Sequence, residues 1–337
     1  MPLFRRRFLQ GGALGAASLA AGTRASASAT FRAHALPDSP QPPEASTVAV
    51  VRAAEFRSLS AAIRAAVAAA GGLAFVRPGD RVLLKPAVNS GNPYPATTDP
   101  EALLAVAELV QEAGGRPFVA DRTMFLRSTR AAFEKTGILG ACAQAKIGCF
   151  PLDDDEVVAI RHPLAASWPD RTLSVYRAAV EADHIVNLCT PRTHRLGGFT
   201  MALKNNVGLV AGGKRARMHT GPGFKDRLAE ISLAVRPALI VMDGRQGFAD
   251  GGPDSGALVQ PGFIAASTDP VAIDAVGIAH LRIAGTNETL AAGPIWSIPL
   301  LRHAVAIGAG VPSPQRIRLV GLDAAGEAAI RSQLLAS

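Results

Sequence analysis

The sequence has few residues of the types that mark redox and metal proteins. Its 337 residues include three cysteines, Cys142, Cys149 and Cys189, and only 5% aromatic residues. No two cysteines are spaced as Cys-x-x-Cys, so neither an iron–sulfur cluster nor a structural zinc site is indicated. In an oxidising compartment Cys142 and Cys149 could form a disulfide, and the alternative is buried free thiols.

Several common functional motifs are also absent. No Gly-x-Gly-x-x-Gly follows a predicted strand, and there is neither a P-loop nor a Gly-x-Ser-x-Gly elbow, so dinucleotide, NTP and α/β-hydrolase chemistry lack support. Only "GGKRARMH" is locally basic, and no Lys/Arg block is interleaved with aromatic residues. Nucleic acid is therefore disfavoured as a partner.

The first 29 residues are typical of an export signal rather than of the fold. Arg5 and Arg6 precede Phe8 and Leu9, a weakly apolar run and Ala-x-Ala sites, a pattern typical of a twin-arginine signal. The run is too short to span a bilayer, so no stable membrane anchor is expected. The sequence predicts export by the twin-arginine translocase to the periplasm, with a Pro-rich linker over 30–47 and one domain over 48–337.

The charge of the domain is modest. The chain carries +8, and the signal contains four arginines, which leaves +4. Small anionic ligands remain compatible with this balance.

Apolar strand-like runs alternate with helical patterns along the domain. The clearest helix, "TTDPEALLAVAELVQEAGG", has Thr98 placed to cap it, with Glu101 completing a capping box. Alternation of this kind predicts an α/β fold, a mostly parallel sheet with helices on both faces. Ligands of such sheets bind beyond the carboxyl ends of the strands.

Polar residues follow four of the predicted strands, and these residues are the candidate ligand-binding set. They are Lys85, Asn89, Asp121, His194, Lys204 and Asp243. Lys85 and Lys204 would repel each other unless an anion bridges them, which favours a carboxylate or phosphate ligand. Lys204 with His194 is the candidate catalytic pair, because a lysine of depressed pKa can act as a base or as a Schiff-base nucleophile.

The segment "TPRTHRLGGFTMALKNNVGLV" carries most of this chemistry. Gly197 and Gly198 would let the backbone approach a ligand, and a helix starting near Thr200 would offer free N–H groups to an anion. Acidic residues such as Asp121 and Asp243 could join His194 or His219 around a metal. Asp250 and Asp254 are interpreted as turn residues beside glycines, and Asp274 as facing a pocket or a strand.

Three blocks of the chain resemble the domain of unknown function 362 family. They are "VLLKPAVNSGNPYPATTDPEALLAVAELVQEAGG", "ADHIVNLCTPRTHRLGGFTMALKNNVGLV" and "GFIAASTDPVAIDAVG". The resemblance adds Thr193, Thr200 and Asn205 to the ligand-binding candidates, with Arg192 where the family has lysine and Asn89 substituting for the family's first Asn. Many relatives carry ferredoxin-type cysteines, which this chain lacks.

A second resemblance is to the nickel-pincer lactate racemases. His194, Gly198-Phe199, Lys204 and His219 occur in the order in which those enzymes place a histidine, a Gly-rich lysine motif and a second histidine. The resemblance implies nickel or a nickel-pincer nucleotide as a cofactor candidate, with His194 and His219 as metal ligands. The glycine pair that precedes the racemase lysine is Ala-Leu here.

Three functions are compatible with these features. The first is an exported, enzyme-like α/β protein that binds an anionic small molecule, with a metal or pincer-type cofactor as an option. The second is a periplasmic binding or scaffold protein without chemistry. The third is a redox partner, which the cysteine count disfavours.

Overall fold

The α/β pattern of the sequence is realised almost strand for strand in a computed structural model, which describes residues 41–124, 126–211, 218–219 and 221–336. The predicted export signal, most of the predicted linker and most of the "GGKRARMH" segment lie outside the described residues. All described residues belong to one compact unit.

The regular elements are as follows. The strands are β1 (Ser46–Arg52), β2 (Arg81–Lys85), β3 (Arg116–Asp121), β4 (Gly148–Pro151), β5 (Val157–Arg161), β6 (Thr172–Tyr176), β7 (His184–Cys189), β8 (Arg192–His194), β9 (Gly198–Thr200), β10 (Leu239–Gly244), β11 (Gly247–Asp250), β12 (Ala257–Val259), β13 (Phe263–Ser267) and β14 (Ile317–Val320). The helices are α1 (Leu59–Ala69), α2 (Pro100–Glu112), α3 (Thr129–Lys135), α4 (Ile138–Gln144), α5 (Arg177–Glu181), α6 (Ala202–Asn205), α7 (Phe224–Glu230), α8 (Pro270–Ala284), α9 (Glu288–Ala291), α10 (Pro299–Ala306) and α11 (Ala324–Leu335).

Eight strands form the central sheet in the order β14-β1-β13-β10-β7-β2-β3-β4. Every neighbouring pair is parallel except the two pairs made by β13, which runs antiparallel to β1 and to β10. The predicted mostly parallel sheet is therefore confirmed. The carboxyl ends of β2, β3, β7 and β10 meet at one edge, because these four strands run in the same direction.

Helices cover both faces of the sheet, as predicted. Alternate side chains of β2 belong to different cores: Val82 and Leu84 pack with α1 and α2, whereas Leu83 packs in the core that contains α8 and α10. Burial on both faces explains why the parallel strands are continuous apolar runs rather than alternating ones.

A second sheet lies outside the predicted pattern. Strands β12, β11, β8 and β9 form it in that order, and β8 and β9 are a hairpin that pairs Arg192 with Thr200 and His194 with Gly198. The sequence pattern does not reveal it, because strands of three or four residues between glycines are too short to show a period of two. The hairpin places His194 on a strand rather than in an open loop.

The predicted cap of α2 is wrong by one residue. Asp99, not Thr98, precedes the helix and accepts a hydrogen bond from the N–H of Glu101 at 2.9 Å. Thr98 Oγ1 instead accepts from Ala87 N at 2.7 Å and donates to the Leu188 carbonyl at 3.2 Å. Thr98 therefore ties the loop that follows β2 to the end of strand β7.

The three cysteines are free thiols. Cys142 on α4 and Cys149 on β4 are hydrogen-bonded to each other, which raises the pKa of Cys149 and lowers that of Cys142. Within the described residues, no helix combines the length and the apolar character that a bilayer crossing requires.

Candidate functional site

A buried ion pair closes the carboxyl edge of β2 and β3. Lys85 is the last residue of β2 and Asp121 the last of β3, and Nζ lies 2.9 Å from Asp121 Oδ1 with both side chains at most 2% exposed. Asp121 also accepts hydrogen bonds from Val88 N and Arg122 N, at 3.0 and 2.7 Å. Because Asp121 balances the charge of Lys85, this lysine does not need an anionic ligand to compensate its charge.

Gly208 covers this ion pair. It lies in a short 3-10 turn, Asn206–Leu209, and a Cβ atom there would stand 1.9 Å from Asp121 Oδ1 and 2.9 Å from Lys85 Nζ. Only glycine leaves room for the pair at this position.

Side-chain amides tie α6 to the sheet. Asn205 Nδ2 donates to Asn187 Oδ1 at 2.8 Å and to the Leu188 carbonyl at 3.1 Å, and Asn205 Oδ1 accepts from Lys85 Nζ at 3.3 Å. Asn187 Nδ2 in turn donates to the Ala202 carbonyl and to Asn206 Oδ1. The "KNN" stretch is therefore held by strand β7, and Asn187 is a supporting residue that the sequence interpretation missed.

The expected free N–H groups at the start of α6 are not available to a ligand. Asp274, fully buried on α8, accepts from Ala202 N at 2.7 Å and from Leu203 N at 3.0 Å. Burial raises the pKa of Asp274 to about 8, against the effect of these two N–H bonds. The protein thus supplies its own carboxyl group where the sequence suggested a ligand anion, and in doing so it fixes the helix that carries Lys204.

Lys204 is half-buried on α6 and lines the space in front of the sheet edge. A Cβ atom on Gly197 would lie 3.4 Å from both Cδ and Cε of Lys204. A side chain at position 197 would therefore pack against Lys204 and, at 3.3 Å, against the Phe199 carbonyl oxygen. Gly198 has the positive φ, +84°, that the β8–β9 turn requires.

Arg192 is a buried cation that sequence reasoning did not place in the site. It is 3% exposed, and its Nη1 donates to the carbonyls of Ala96 and Pro253 at 2.5 and 2.8 Å. Its Nε is buried without a hydrogen-bond partner, and no carboxylate of the described residues lies within ion-pair distance. Burial lowers the pKa of Arg192 to about 10, so the guanidinium is still charged at neutral pH. The sequence feature that could have identified Arg192 as a site residue is its position in the family motif, where relatives have lysine.

His194 is held in one tautomer. Its Nδ1 accepts hydrogen bonds from the backbone N–H groups of Leu196 and Gly197, at 3.2 and 3.0 Å. An unprotonated Nδ1 places the proton of the neutral ring on Nε2. Burial lowers the pKa of His194 to about 2, aided by the charges of Lys204 and Arg192 and by His219.

Two adjoining cavities occupy the front of the sheet edge. The inner cavity measures about 40 Å³, and its lining includes Lys85, Asp121, Arg192, Thr200, Lys204, Asn205 and Gly208. The outer cavity measures about 560 Å³, and its lining includes Asn92, Met124, Arg127, His194, Leu196, His219 and Asp254. Asn89, Lys204, Val207 and Pro253 border both.

Most of the candidate ligand-binding residues come together here, and two do not. Asp243 accepts from the Tyr94 hydroxyl at 2.9 Å and from Arg245, so it orders a neighbouring loop and lines neither cavity. Thr193 Oγ1 accepts from Gly252 N at 3.2 Å and likewise lines neither cavity.

Asp254 is more than the turn residue that its neighbouring glycines suggested. Its carboxylate accepts from Asn89 Nδ2 at 2.5 Å and from Arg127 Nη1 at 3.1 Å, while its carbonyl accepts from Asn92 Nδ2 at 2.8 Å. The loop between β11 and β12 is thereby fastened across the outer cavity to the loops that follow β2 and β3.

The expected metal role of His194 does not fit this geometry. A metal needs an unprotonated ring nitrogen, but Nδ1 is occupied by two N–H donors and Nε2 carries the proton. Among the described residues, no three His, Cys, Asp or Glu side chains are grouped as metal ligands. The hydrogen bonds of His194 therefore do not fit the metal-ligand role that the racemase resemblance implied for this residue.

Fold and site together define an α/β protein with a cationic pocket at the carboxyl edge of a mostly parallel sheet. The family model described as a domain of unknown function (DUF362) matches residues 82–279. A thylakoid-associated protein of Synechocystis sp. is 36% identical over 232 residues, which cover 66% of this chain and 70% of that protein. The chain belongs to the DUF362 family, as its three sequence blocks predicted.

Among solved structures, a comparison matches this chain to the lactate racemase apoprotein of Thermoanaerobacterium thermosaccharolyticum. It has a TM-score of 0.39 and 15% sequence identity over 72% of this chain. The chain spans 58% of the length of that racemase chain.

Proposed function

We propose that this protein binds a small organic anion in the paired cavities at the carboxyl edge of the sheet. The observation that carries the proposal is Arg192. The Arg192 guanidinium is 3% exposed, and among the described residues its Nε has no hydrogen-bond partner and no carboxylate lies close enough for an ion pair. Such a cation is costly to bury. An anion in the inner cavity would offset that cost.

The charges around the inner cavity support an anionic ligand. Lys85 is paired with Asp121, and Arg122 is paired with Asp153 at 4.0 Å. Arg192 and Lys204 add two further positive charges to the same lining. Asn205 and Thr200 add neutral polar groups. A carboxylate or phosphate group is the natural complement of a guanidinium and an ammonium.

A binding experiment with inorganic phosphate and acetate tests this proposal by calorimetry. We expect Arg192→Met to weaken binding of the better probe by about 10-fold or more, because a hydrogen bond to a charged group contributes about 1.5–3 kcal/mol. Arg192→Lys keeps the charge and is expected to retain part of the affinity. Thermal unfolding of each variant checks that the fold is intact, and unchanged affinity in a folded Arg192→Met protein would disprove the proposal.

Lys204 determines whether the site also does chemistry. Lys204→Ala is expected to weaken anion binding with little loss of stability, as for a site residue. Lys204→Arg keeps the charge but cannot form a Schiff base. If Lys204→Arg binds the anion as tightly as the wild type, the role of Lys204 is electrostatic and the protein is a binding protein. If mass spectrometry finds a covalent adduct on Lys204, the protein is an enzyme.

We also propose export through the twin-arginine translocase, from Arg5 and Arg6 followed by Phe8 and Leu9. Replacing both arginines with lysine is expected to retain the precursor in the cytoplasm. An unchanged periplasmic yield would contradict the proposal.

A further inference from the structure

The two cavities differ so much in size that a ligand filling both must have two parts. The inner cavity, about 40 Å³, has space for only a few atoms, since a single water needs roughly 10–15 Å³ on this measure. The outer cavity, about 560 Å³, is in the range that holds a drug-sized molecule. Lys204 and Val207 border both, so the two spaces adjoin.

The linings differ in character as well as in size. Arg192 and the Lys85–Asp121 pair surround the inner cavity, whereas the outer one includes the apolar side chains of Met124 and Leu196. Two guanidinium groups line the outer cavity: Arg127 is already paired with Asp254 at 3.1 Å, and Arg195 is exposed to solvent. The anionic group therefore belongs in the inner cavity, and a less polar body belongs in the outer one.

His194 gives the outer cavity one directed hydrogen-bond donor. Its Nδ1 is occupied by the N–H groups of Leu196 and Gly197, so the ring proton is on Nε2. In the described part of the chain Nε2 has no hydrogen-bond partner, and it is not among the buried unpaired atoms, so it is accessible. Lys204, Arg192 and His219 all disfavour a second proton on this ring.

We propose that the ligand is a two-part organic anion: its carboxylate or phosphate head binds Arg192 and Lys204, and an oxygen on its body accepts a hydrogen bond from His194 Nε2. His194 is then a fixed neutral donor rather than a base or a metal ligand. This inference rests on the anion-binding function proposed above and specifies the ligand class of the same site.

Four ligands test the inference by calorimetry with the purified protein. Acetate and inorganic phosphate represent the head alone and distinguish the two kinds of head. 4-Phenylbutyrate adds an apolar body, and 4-oxo-4-phenylbutyrate adds a ketone oxygen to that same body. We expect both aryl acids to bind more tightly than acetate, and the ketone to bind about five-fold more tightly than 4-phenylbutyrate, the effect of one net hydrogen bond.

Two substitutions of His194 separate its two nitrogens. In His194→Asn, the amide oxygen can replace Nδ1 as the acceptor for Leu196 and Gly197, but the donor at the Nε2 position is lost. In His194→Gln, the amide nitrogen can replace Nε2 as the donor, while the Nδ1 acceptor is lost. The preference for the ketone is expected to disappear in the asparagine variant and to persist in the glutamine variant.

The tautomer has its own readout, which needs no ligand. In ¹⁵N-histidine NMR spectra, His194 is expected to remain the neutral Nε2–H form from pH 5 to pH 8. A proton on Nδ1, or a titration near pH 6.5, would overturn the assignment.

The outcomes distinguish this inference from the function on which it rests. If no anionic probe binds, or if binding does not depend on Arg192, the proposed anion-binding function is wrong. The proposed two-part ligand is then wrong as well. If anions bind through Arg192 but the aryl body adds no affinity, or if the ketone preference survives in His194→Asn, the two-part ligand alone is wrong.

Discussion

Gly208→Ala tests whether the buried ion pair organises the site. A Cβ at position 208 would stand 1.9 Å from Asp121 Oδ1 and 2.9 Å from Lys85 Nζ, whereas real Cβ contacts are essentially never under 3.0 Å. The carboxylate or the turn that carries residue 208 would have to shift by roughly 1 Å, which would disturb the contacts of Asp121 with Lys85 and with the N–H groups of Val88 and Arg122. The backbone at 208 needs no left-handed conformation, so lack of space is the whole effect.

The expected cost follows from the burial of the pair. Both side chains are at most 2% exposed, and separating a buried pair costs about 3–5 kcal/mol because each charge is left without compensation. At about 2–4 °C per kcal/mol, the unfolding temperature should fall by roughly 6–20 °C. The inner cavity should also be distorted, so anion affinity is expected to fall.

Gly140→Ala is the matched control, measured by thermal and urea unfolding. Gly140 lies within α4 and a Cβ there would meet nothing within 4 Å, so this variant is expected to gain up to about 1 kcal/mol from helix propensity. The two Gly→Ala changes should therefore have opposite signs. A Gly208→Ala protein as stable as the wild type would refute the reasoning about the pair.

Two further predictions concern buried titratable groups. Asp274→Asn leaves one N–H at the start of α6 without an acceptor, at a cost of about 1–3 kcal/mol at pH 5. Burial raises the folded-state pKa of Asp274 to about 8, so the contribution of Asp274 to stability falls as the pH rises from about 4 to 8. The free energy lost on Asp274→Asn, measured by urea unfolding, should therefore be smaller at pH 8 than at pH 5. Equal losses at both pH values would contradict this. The hydrogen bond to Glu230 raises the pKa of His303. The nearby charge of Asp226 raises it further, and the charge of Arg302 opposes the shift. His303 therefore contributes its full stabilisation below about pH 6.5 and loses it as the pH rises through the folded-state pKa. His303→Gln should be most destabilising in acid. A loss of stability that does not depend on pH would contradict the raised pKa of His303.

Part of this protein could be predicted from local sequence because the signals are local. Apolar runs in β1, β2, β7 and β10, and the helical period of α2, identify a parallel α/β sheet, since a strand buried on both faces must be apolar throughout. The end of each apolar run also marks the end of a strand, so Lys85, Asp121 and Lys204 could be assigned to the carboxyl edge of the sheet. The three family blocks were visible for the same reason.

Contacts between distant parts of the chain were decided only by the tertiary structure. Asp274 follows Ala202 by 72 residues and takes the N–H groups that the sequence appeared to leave for a ligand. Asp243 satisfies the strand-end rule, yet Tyr94 and Arg245 engage it away from both cavities. Arg192 became a site residue only because its partners are carbonyls from two other loops and no carboxylate of the described chain pairs with it. Local pattern determines which groups reach the sheet edge, but the charge balance among them depends on packing between segments far apart in sequence, which only the folded chain defines.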